Sequence, residues 1–277
     1  MDSFMKIYTD VLKLGSVVSP RGLRVIEIED YSYTLRPYER FQNFPSRKMN
    51  LRYIKDEFLW YVKGDRFDTS IAEKAKMWQG LINTDGSINS NYGFYLFSGP
   101  NQFDNVVKTL ETDRDSRRAS MMILRDEHLL SDTKDVPCTY SINFRIRDNR
   151  LNMSVRMRSQ DCVYGMTNDA PAFSFIHEMM LNALRRRYPT LEYGRYNHTA
   201  DSFHVYERHW PMLEKITGLR LTVDGVLDAE VASMNDCEDN EHVECPHISG
   251  PDEVDFIRAL DFSSIPVDFT FAQWLNS

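Results

Sequence analysis

Thiol, guanidinium and carboxyl side chains cluster in the middle of this chain at spacings that suit covalent chemistry on a charged small molecule. Cys138 stands in "DVPCTYS", behind a proline and at the start of a strand-like alternation, where its side chain can be reached. Taken alone it is either a small buried hydrophobe or a nucleophile. Its neighbours favour the second reading. Arg158 falls on the strand expected to pair through a hairpin, and Arg117 and Arg118 lie upstream in "DSRR". Guanidinium groups near a thiol favour the thiolate, the form that attacks carbon. Several arginines also suit a phosphate, which each grips through two hydrogen bonds. Thiolate and phosphate clamp together imply a phosphorylated substrate with an electrophilic carbon.

The stretch "VRMRSQDCVYGMTNDAPAF", Val155 to Phe173, adds Arg158, Ser159 and Asp161 at a strand end, then Gly165 and the pair Asn168-Asp169. Glu57 adjoins an apolar helical stripe beside Trp60, with Trp78 further on. Aromatic surroundings raise a carboxyl pKa and make the group a proton shuttle; the alternative is a surface glutamate on an amphipathic helix. His204 and Tyr206 alternate on one strand, so both point the same way, either to a sugar hydroxyl or into sheet packing.

The elements that position these residues follow from periodicity. Residues 3–14 place Phe4, Ile7, Tyr8, Val11 and Leu12 on one helical face, and Gly15 ends that helix. "LRVIEIED" and "YSYTLRPY" alternate and are expected to pair as strands. "NLRYIKDEFLWYVKGD" repeats Leu51, Ile54, Phe58, Leu59 and Val62 as a buried helix that stops at Gly64, "NQFDNVVKTLET" reads as a helix, and "SRRASMMIL" as a strand. "TYSINFRIRD" and "RLNMSVRMRS" form a hairpin around Asp148-Asn149. A long helix follows, with Asp169 at or near its N-cap and Pro171 in its first turn, and then the strand "RYNHTADSFHVYERH". The fold class is α+β, a single domain over residues 1–277 with a sheet covered by helices.

Composition narrows the function. A chain of 277 residues with 42% hydrophobic and 27% charged residues is ordinary for a globular enzyme. A net charge of −8 argues against nucleic acid or an acidic membrane as the main partner. The run Arg185-Arg186-Arg187 is expected to be a solvated cationic helix end rather than a nucleic-acid site. The start shows no signal-peptide pattern and no run is long enough to span a membrane, which places the chain in the cytoplasm. Cys138, Cys162, Cys237 and Cys245 are too sparse for a disulfide scaffold. "CEDNEHVECPH" matches no common zinc spacing and reads as an acidic loop, so no metal is expected.

In order and spacing, "DEFLWYVKGD", "INSNYGFYLF", "DSRR", "VPC", "MRSQDCVYG" and "HVYERH" resemble the thymidylate synthase superfamily, most of all its cytidylate hydroxymethylase branch. The resemblance covers about residues 5–210; residues 211–277 do not visibly match. It implies a homodimer built through the sheet, a nucleotide substrate and 5,10-methylenetetrahydrofolate as one-carbon donor. It further implies Cys138 as the nucleophile that adds to ring carbon 6. Arg158, with Arg117 and Arg118 from the partner subunit and either Arg21 or Arg24, would hold the phosphate. Ser159 would support the nucleotide, His204 and Tyr206 the sugar. Asp161 and Gly165 would adjoin the folate, with Trp78 and Tyr92 lining the cavity and Glu57 organising protons and water.

Three positions depart from the synthase pattern. Thr139 replaces a histidine after the nucleophile, Leu81 a second tryptophan after Trp78, and Thr167-Asn168-Asp169 a Pro-Phe-Asn. Asp169 thus occupies the place of the base-reading asparagine. The implied activity is 5-hydroxymethylation of dCMP. The alternatives are CMP in a nucleoside-antibiotic pathway, or methylation of dUMP.

Overall fold

The computed structural model describes residues 3–35, 40–42, 44–130 and 132–228. The strands are β1 (Ser16–Val18), β2 (Val25–Leu35), β3 (Ser120–Met122), β4 (Thr139–Arg147), β5 (Arg150–Met157), β6 (Gln160–Asp161) and β7 (Glu192–Tyr206). The helices are α1 (Ser3–Leu14), α2 (Leu51–Lys63), α3 (Ile71–Lys74), α4 (Tyr92–Phe97), α5 (Gln102–Thr112), α6 (Asp126–Leu130), α7 (Gly165–Arg185) and α8 (Trp210–Thr217). Short 3-10 turns occupy Pro20–Gly22, Lys76–Leu81 and Glu207–His209. The "CEDNEHVECPH" segment, with Cys237 and Cys245, lies outside the described residues.

β4 and β5 form the expected hairpin. Asp148 and Asn149 take φ of 51° and 56°, the left-handed pair that a two-residue type I′ turn requires. β5 runs parallel to β7, and β7 pairs antiparallel with β2. The sheet order is β1-β2-β7-β5-β4-β3, with β6 continuing beside β7. Mostly antiparallel pairing with packed helices is the α+β class expected.

The segments 23–30 and 31–38 do not pair with each other. Residues 25–35 are the single strand β2, and residues 36–38 lie outside the described residues. Asp30 explains the misreading, because its φ of 52° interrupts the alternation without reversing the chain. Core-side residues change from Ile26 and Ile28 to Tyr31, Tyr33 and Leu35, a switch of parity. β7 switches at the same level, from Val205 and Phe203 to Ala200, His198 and Tyr196. The strand expected over residues 116–124 shortens to β3.

Helices cover the apolar face. α1 packs on β2 and β7 through Phe4, Ile7, Tyr8, Val11 and Leu12, as its periodicity requires. α2 is capped by Asn50, whose side chain accepts from Tyr53 N, and ends at Gly64 with φ 62°. Its buried face is rotated from the expected stripe: Tyr53, Trp60 and Tyr61 are buried, whereas Leu59 and Val62 are only partly so. The large rings win the interior because they bury more area. α7 begins at Gly165, so Asp169 is its fifth residue and not its cap, and Pro171 stands in the second turn. Asp161 holds the turn that leads into the helix, its carboxylate accepting from Val163 N and Tyr164 N at 3.1 and 3.0 Å. Arg185 fastens the other end of α7 by donating to Leu191 O at 3.0 Å, while Arg186 and Arg187 are exposed.

The opposite sheet face is polar. Ser32 meets Thr199, Thr34 meets Asn197 and Tyr140 meets Asp201 at 2.9, 2.9 and 2.6 Å. A hollow of about 260 Å³ opens there beside Arg156 and Ser154.

α4 crosses α2 at Gly93, where an added Cβ would lie 1.4 Å from the Tyr61 carbonyl oxygen. That contact lets Tyr92 stack on Tyr61, with centroids 5.2 Å and planes 10° apart. We expect Gly93→Ala to lower the unfolding free energy by about 1–3 kcal/mol, read from the urea midpoint at unchanged slope. An unchanged midpoint would mean that the crossing has slack.

Candidate active site

Cys138 sits half-buried just ahead of β4, held by the residue expected to activate it. The Arg158 backbone N–H donates to Cys138 O at 2.8 Å. Its guanidinium donates from Nε to Pro137 O at 3.1 Å and from Nη2 to Val136 O at 2.7 Å. One arginine therefore fixes the whole turn that carries the thiol. Asp135 fastens the same turn from below, its buried carboxylate accepting from Ser90 N and Ser90 Oγ, both at 2.6 Å. Burial pushes the Cys138 thiol up, while Arg158 and Arg21 pull it down and Asp169 and Asp135 push it up. The arginines thus favour the thiolate as expected, but burial outweighs them and the thiol stays above its ordinary range.

Two carboxyl groups share this pocket, Glu57 buried and Asp169 half-buried. Glu57 is buried on α2 and accepts from the Tyr53 hydroxyl at 2.7 Å; Trp78 Nε1 donates to that hydroxyl at 2.8 Å. Burial, opposed by the Tyr53 hydrogen bond and reinforced by Asp169, raises Glu57 from 4.5 to about 8. The surface alternative for Glu57 is thereby set aside. Asp169 projects from the second turn of α7 and accepts from Gln160 Nε2 at 3.1 Å. Burial raises it from 3.8 to about 7. Both groups hold protons near neutrality and so can give or take one. Tyr92 closes the pocket between Tyr61 and Phe173, close enough to Cys138 to feel its charge. Thr139, after the nucleophile, is fully buried, and Leu81 is half-buried in the Trp78 turn.

The N-terminal arginines separate clearly. Arg21, at φ 53° in the turn Pro20–Gly22, acts electrostatically on both Cys138 and His204. Arg24 is engaged elsewhere: it pairs with Glu207 and lies 5.2 Å over the Trp210 ring. His204 and Tyr206 are neighbours on β7, rings edge-to-face at 5.1 Å, and burial lowers the His204 pKa. Asp161 pairs with His204 across β6 and β7. Ser159 lies half-exposed between β5 and β6.

Arg117 and Arg118 do not join these residues within one chain. Phe144 N donates to Ala119 O at 2.8 Å, which sets Arg118 beside Arg145, seven positions along β4 from Cys138. At roughly 3.3 Å per residue the separation is about 23 Å. Both side chains are exposed, with no side-chain partner among the described residues.

Sequence reasoning missed several supporting residues. Tyr53 lies four positions before Glu57 on α2, a helical spacing that points to contact. Gln160 sits inside the motif that supplies Arg158 and Asp161. Arg47 gave no periodic signal, yet it is buried, donates to Val163 O and Thr167 Oγ1 at 2.9 Å each, and stacks 4.3 Å over Tyr164. It anchors the turn that leads into α7.

Asp161 and Gly165 stand together at that turn, a carboxylate beside a residue without a side chain. A Cβ added at Gly165 would meet atoms of Asp161, Gln160 and Asp169 at 3.6–3.8 Å, so these side chains already pack against the glycine; Trp78 and Tyr92 are both buried. Among the described residues no group of three or more His, Cys, Asp or Glu is placed to hold a metal ion.

A strand-end thiol near the proton-holding Asp169, which in turn acts on Glu57 in an aromatic pocket, is equipped for covalent addition to an unsaturated ring. The chain belongs to the thymidylate synthase family, whose model, described as thymidylate synthase, matches residues 2–223. It is 32% identical over 207 residues to the deoxycytidylate 5-hydroxymethyltransferase of Enterobacteria phage T6, covering 72% of this chain and 82% of the relative. The enzyme of that name from Enterobacteria phage T4 is 31% identical over the same length, with the same coverage. A deoxyuridylate hydroxymethyltransferase of Bacillus phage SP01 is 28% identical over 243 residues, covering 80% of this chain and 62% of the relative. The chain is therefore a folate-dependent one-carbon transferase, in a family that acts on nucleotides with methylenetetrahydrofolate as co-substrate. Among the described residues no helix is long and apolar enough to cross a membrane.

Glu57 holds its proton to about pH 8 in the folded chain, against an ordinary 4.5. The folded state binds more protons across that window, so stability falls as pH rises through it, by at most about 1.4 kcal/mol per pH unit. Glu57→Gln should remove this contribution, so that the variant loses less stability than the parent between pH 5 and about 7.5. Parallel denaturation curves at both pH values would show instead that Glu57 is ionised in the fold.

Proposed function

We propose that the chain converts a cytosine nucleoside monophosphate, dCMP first, to its 5-hydroxymethyl derivative. The supporting observation is Asp169, a carboxyl group at the base-reading place, in the same pocket as Cys138 and Glu57. The names of the phage relatives agree with it. The balanced reaction is dCMP, methylenetetrahydrofolate and water giving 5-hydroxymethyl-dCMP and tetrahydrofolate.

In this reading Cys138 attacks ring carbon 6, which makes carbon 5 enamine-like and nucleophilic. Methylenetetrahydrofolate supplies the one-carbon unit that carbon 5 takes up. Arg158 and Arg21 favour the thiolate and grip the phosphate, and Ser159 supports the nucleotide. His204 and Tyr206 bind the sugar. Glu57, poised near neutrality, moves protons to and from the ring and orients the water that completes the product. Asp161, Gly165, Trp78 and Tyr92 line the folate side. Asp169 accepts from the exocyclic amino group and shares a proton with the ring nitrogen, a pattern that suits cytosine.

Turnover of dCMP, CMP and dUMP with methylenetetrahydrofolate, product by product, tests this. We expect a 5-hydroxymethyl nucleotide from dCMP without dihydrofolate, and no product from Cys138→Ser. Stoichiometric dihydrofolate with a 5-methyl product would sink the hydroxymethylase reading. Faster turnover of CMP or dUMP would reassign the substrate.

Arg117 and Arg118, exposed and remote from Cys138 in their own chain, would complete the phosphate site of the partner subunit, with the polar sheet faces as the contact. A mixture of Arg117→Ala/Arg118→Ala chains with Cys138→Ser chains should then regain activity on subunit exchange. Each hybrid holds one site with an intact thiol and intact arginines. No recovery despite exchange would count against sharing.

A further inference from the structure

Gln160 is 2% exposed in β6 and bridges the buried Tyr33 and the half-buried Asp169. The Tyr33 hydroxyl donates to its Oε1 at 3.0 Å, and its Nε2 donates to Asp169 Oδ2 at 3.1 Å. Tyr33 is fixed in place, its ring stacked on His198 with centroids 4.9 Å and planes 4° apart. Burial keeps its phenol protonated, so it always has a hydrogen to give. With the Gln160 amide oriented this way, its oxygen faces Tyr33 and its NH₂ faces Asp169.

We propose that Tyr33 and Gln160 are positioning residues that set base specificity. They commit Asp169 Oδ2 as an acceptor and leave Oδ1 as the oxygen that shares a proton with the ring nitrogen of the base. This rests on the reading of Asp169 as the base-facing group. Moving the proton to Oδ2 would set donor against donor at Gln160, a mismatch that buried sites tolerate poorly. Cytosine fits the fixed arrangement: its ring nitrogen takes the Oδ1 side, and its amino group donates to the second lone pair of Oδ2. Uracil brings a carbonyl oxygen to Oδ2 in place of that amino group, so two acceptors meet.

The test compares kcat/KM for dCMP and dUMP in Gln160→Leu, Tyr33→Phe, Asp169→Asn and the Gln160→Leu/Asp169→Asn double variant. Gln160→Leu should lower the dCMP-to-dUMP ratio by about tenfold or more. Tyr33→Phe, which deletes only the hydroxyl, should lower it in the same direction by a smaller factor. The effects of Gln160→Leu and Asp169→Asn should not multiply when combined, because they act through one contact. Equal losses on both nucleotides in Gln160→Leu and Tyr33→Phe, with the ratio preserved, overturn the proposal. If that happens while Asp169→Asn does shift the ratio, Asp169 still reads the base and only the role of Gln160 falls. If Asp169→Asn also keeps the parental ratio, both readings fall. Where turnover of Gln160→Leu is too slow to follow, the ratio of dCMP and dUMP dissociation constants decides in the same way.

Discussion

One row of the sheet, Tyr31–Ala200–Met157–Thr139, sets where the rest of the molecule sits. Along this row the strands lose their simple alternation: Asp30 turns left-handed, β7 changes parity after Ala200, and the β4–β5 register shifts between Thr139 and Ser141. A slip of one residue sends every later side chain to the other face. Coordinated across neighbouring strands, such a slip keeps the sheet paired while redirecting what lies beyond it. Arg158 and Cys138 are the next residues past the row, already joined by a backbone hydrogen bond of 2.8 Å. The break that disturbs the sheet thus also delivers the thiol and its arginine together at the end of the hairpin.

Charge in the pocket is governed by burial more than by pairing. Glu57 and Asp169 reach about 8 and 7 because desolvation is the largest influence on each, and each is lowered by only a single side-chain hydrogen bond. An ionised Asp169 would repel a thiolate at Cys138, so holding it as an acid near neutrality favours the anion that chemistry at Cys138 needs. Arg158 serves this balance and the backbone at once. Its Nε and Nη2 donate to the Pro137 and Val136 carbonyls, which fixes its positive charge beside the nucleophile and leaves its remaining N–H groups for an anion.

Much of this was legible in the sequence, for physical reasons. The hairpin announced itself by strict alternation around Asp148-Asn149, and α1 by five apolar residues at helical spacing that all prove buried. Cys138, Arg158, Glu57 and Asp169 converge because motif order encoded which elements meet. Two readings failed, each where a local signal met a tertiary demand. A strand looked like two because Asp30 breaks the pattern without breaking the strand. Asp169 looked like a helix cap because the helix starts four residues earlier, at Gly165, behind a turn held by Asp161 that propensity does not reveal. The choice between Arg21 and Arg24 stays open in the sequence, because only the fold brings Glu207 and Trp210 to Arg24. Gln160 and Arg47 act through partners distant in the chain, and no periodicity points to such contacts.

The two pairings that frame the pocket differ greatly in how far apart along the chain their strands lie. The β4–β5 hairpin closes through a two-residue turn, while β2 meets β7 in pairs such as Val25 with Tyr206. Hairpins form in about 1–10 μs, whereas contacts across most of a chain wait for the loop entropy to be overcome. During folding, then, the thiol and its arginine come together early, on a nearly local piece of structure. The Tyr33–Gln160–Asp169 bridge arrives only when the N-terminal strand docks, so the nucleophile exists before the chain has acquired the means to discriminate among bases.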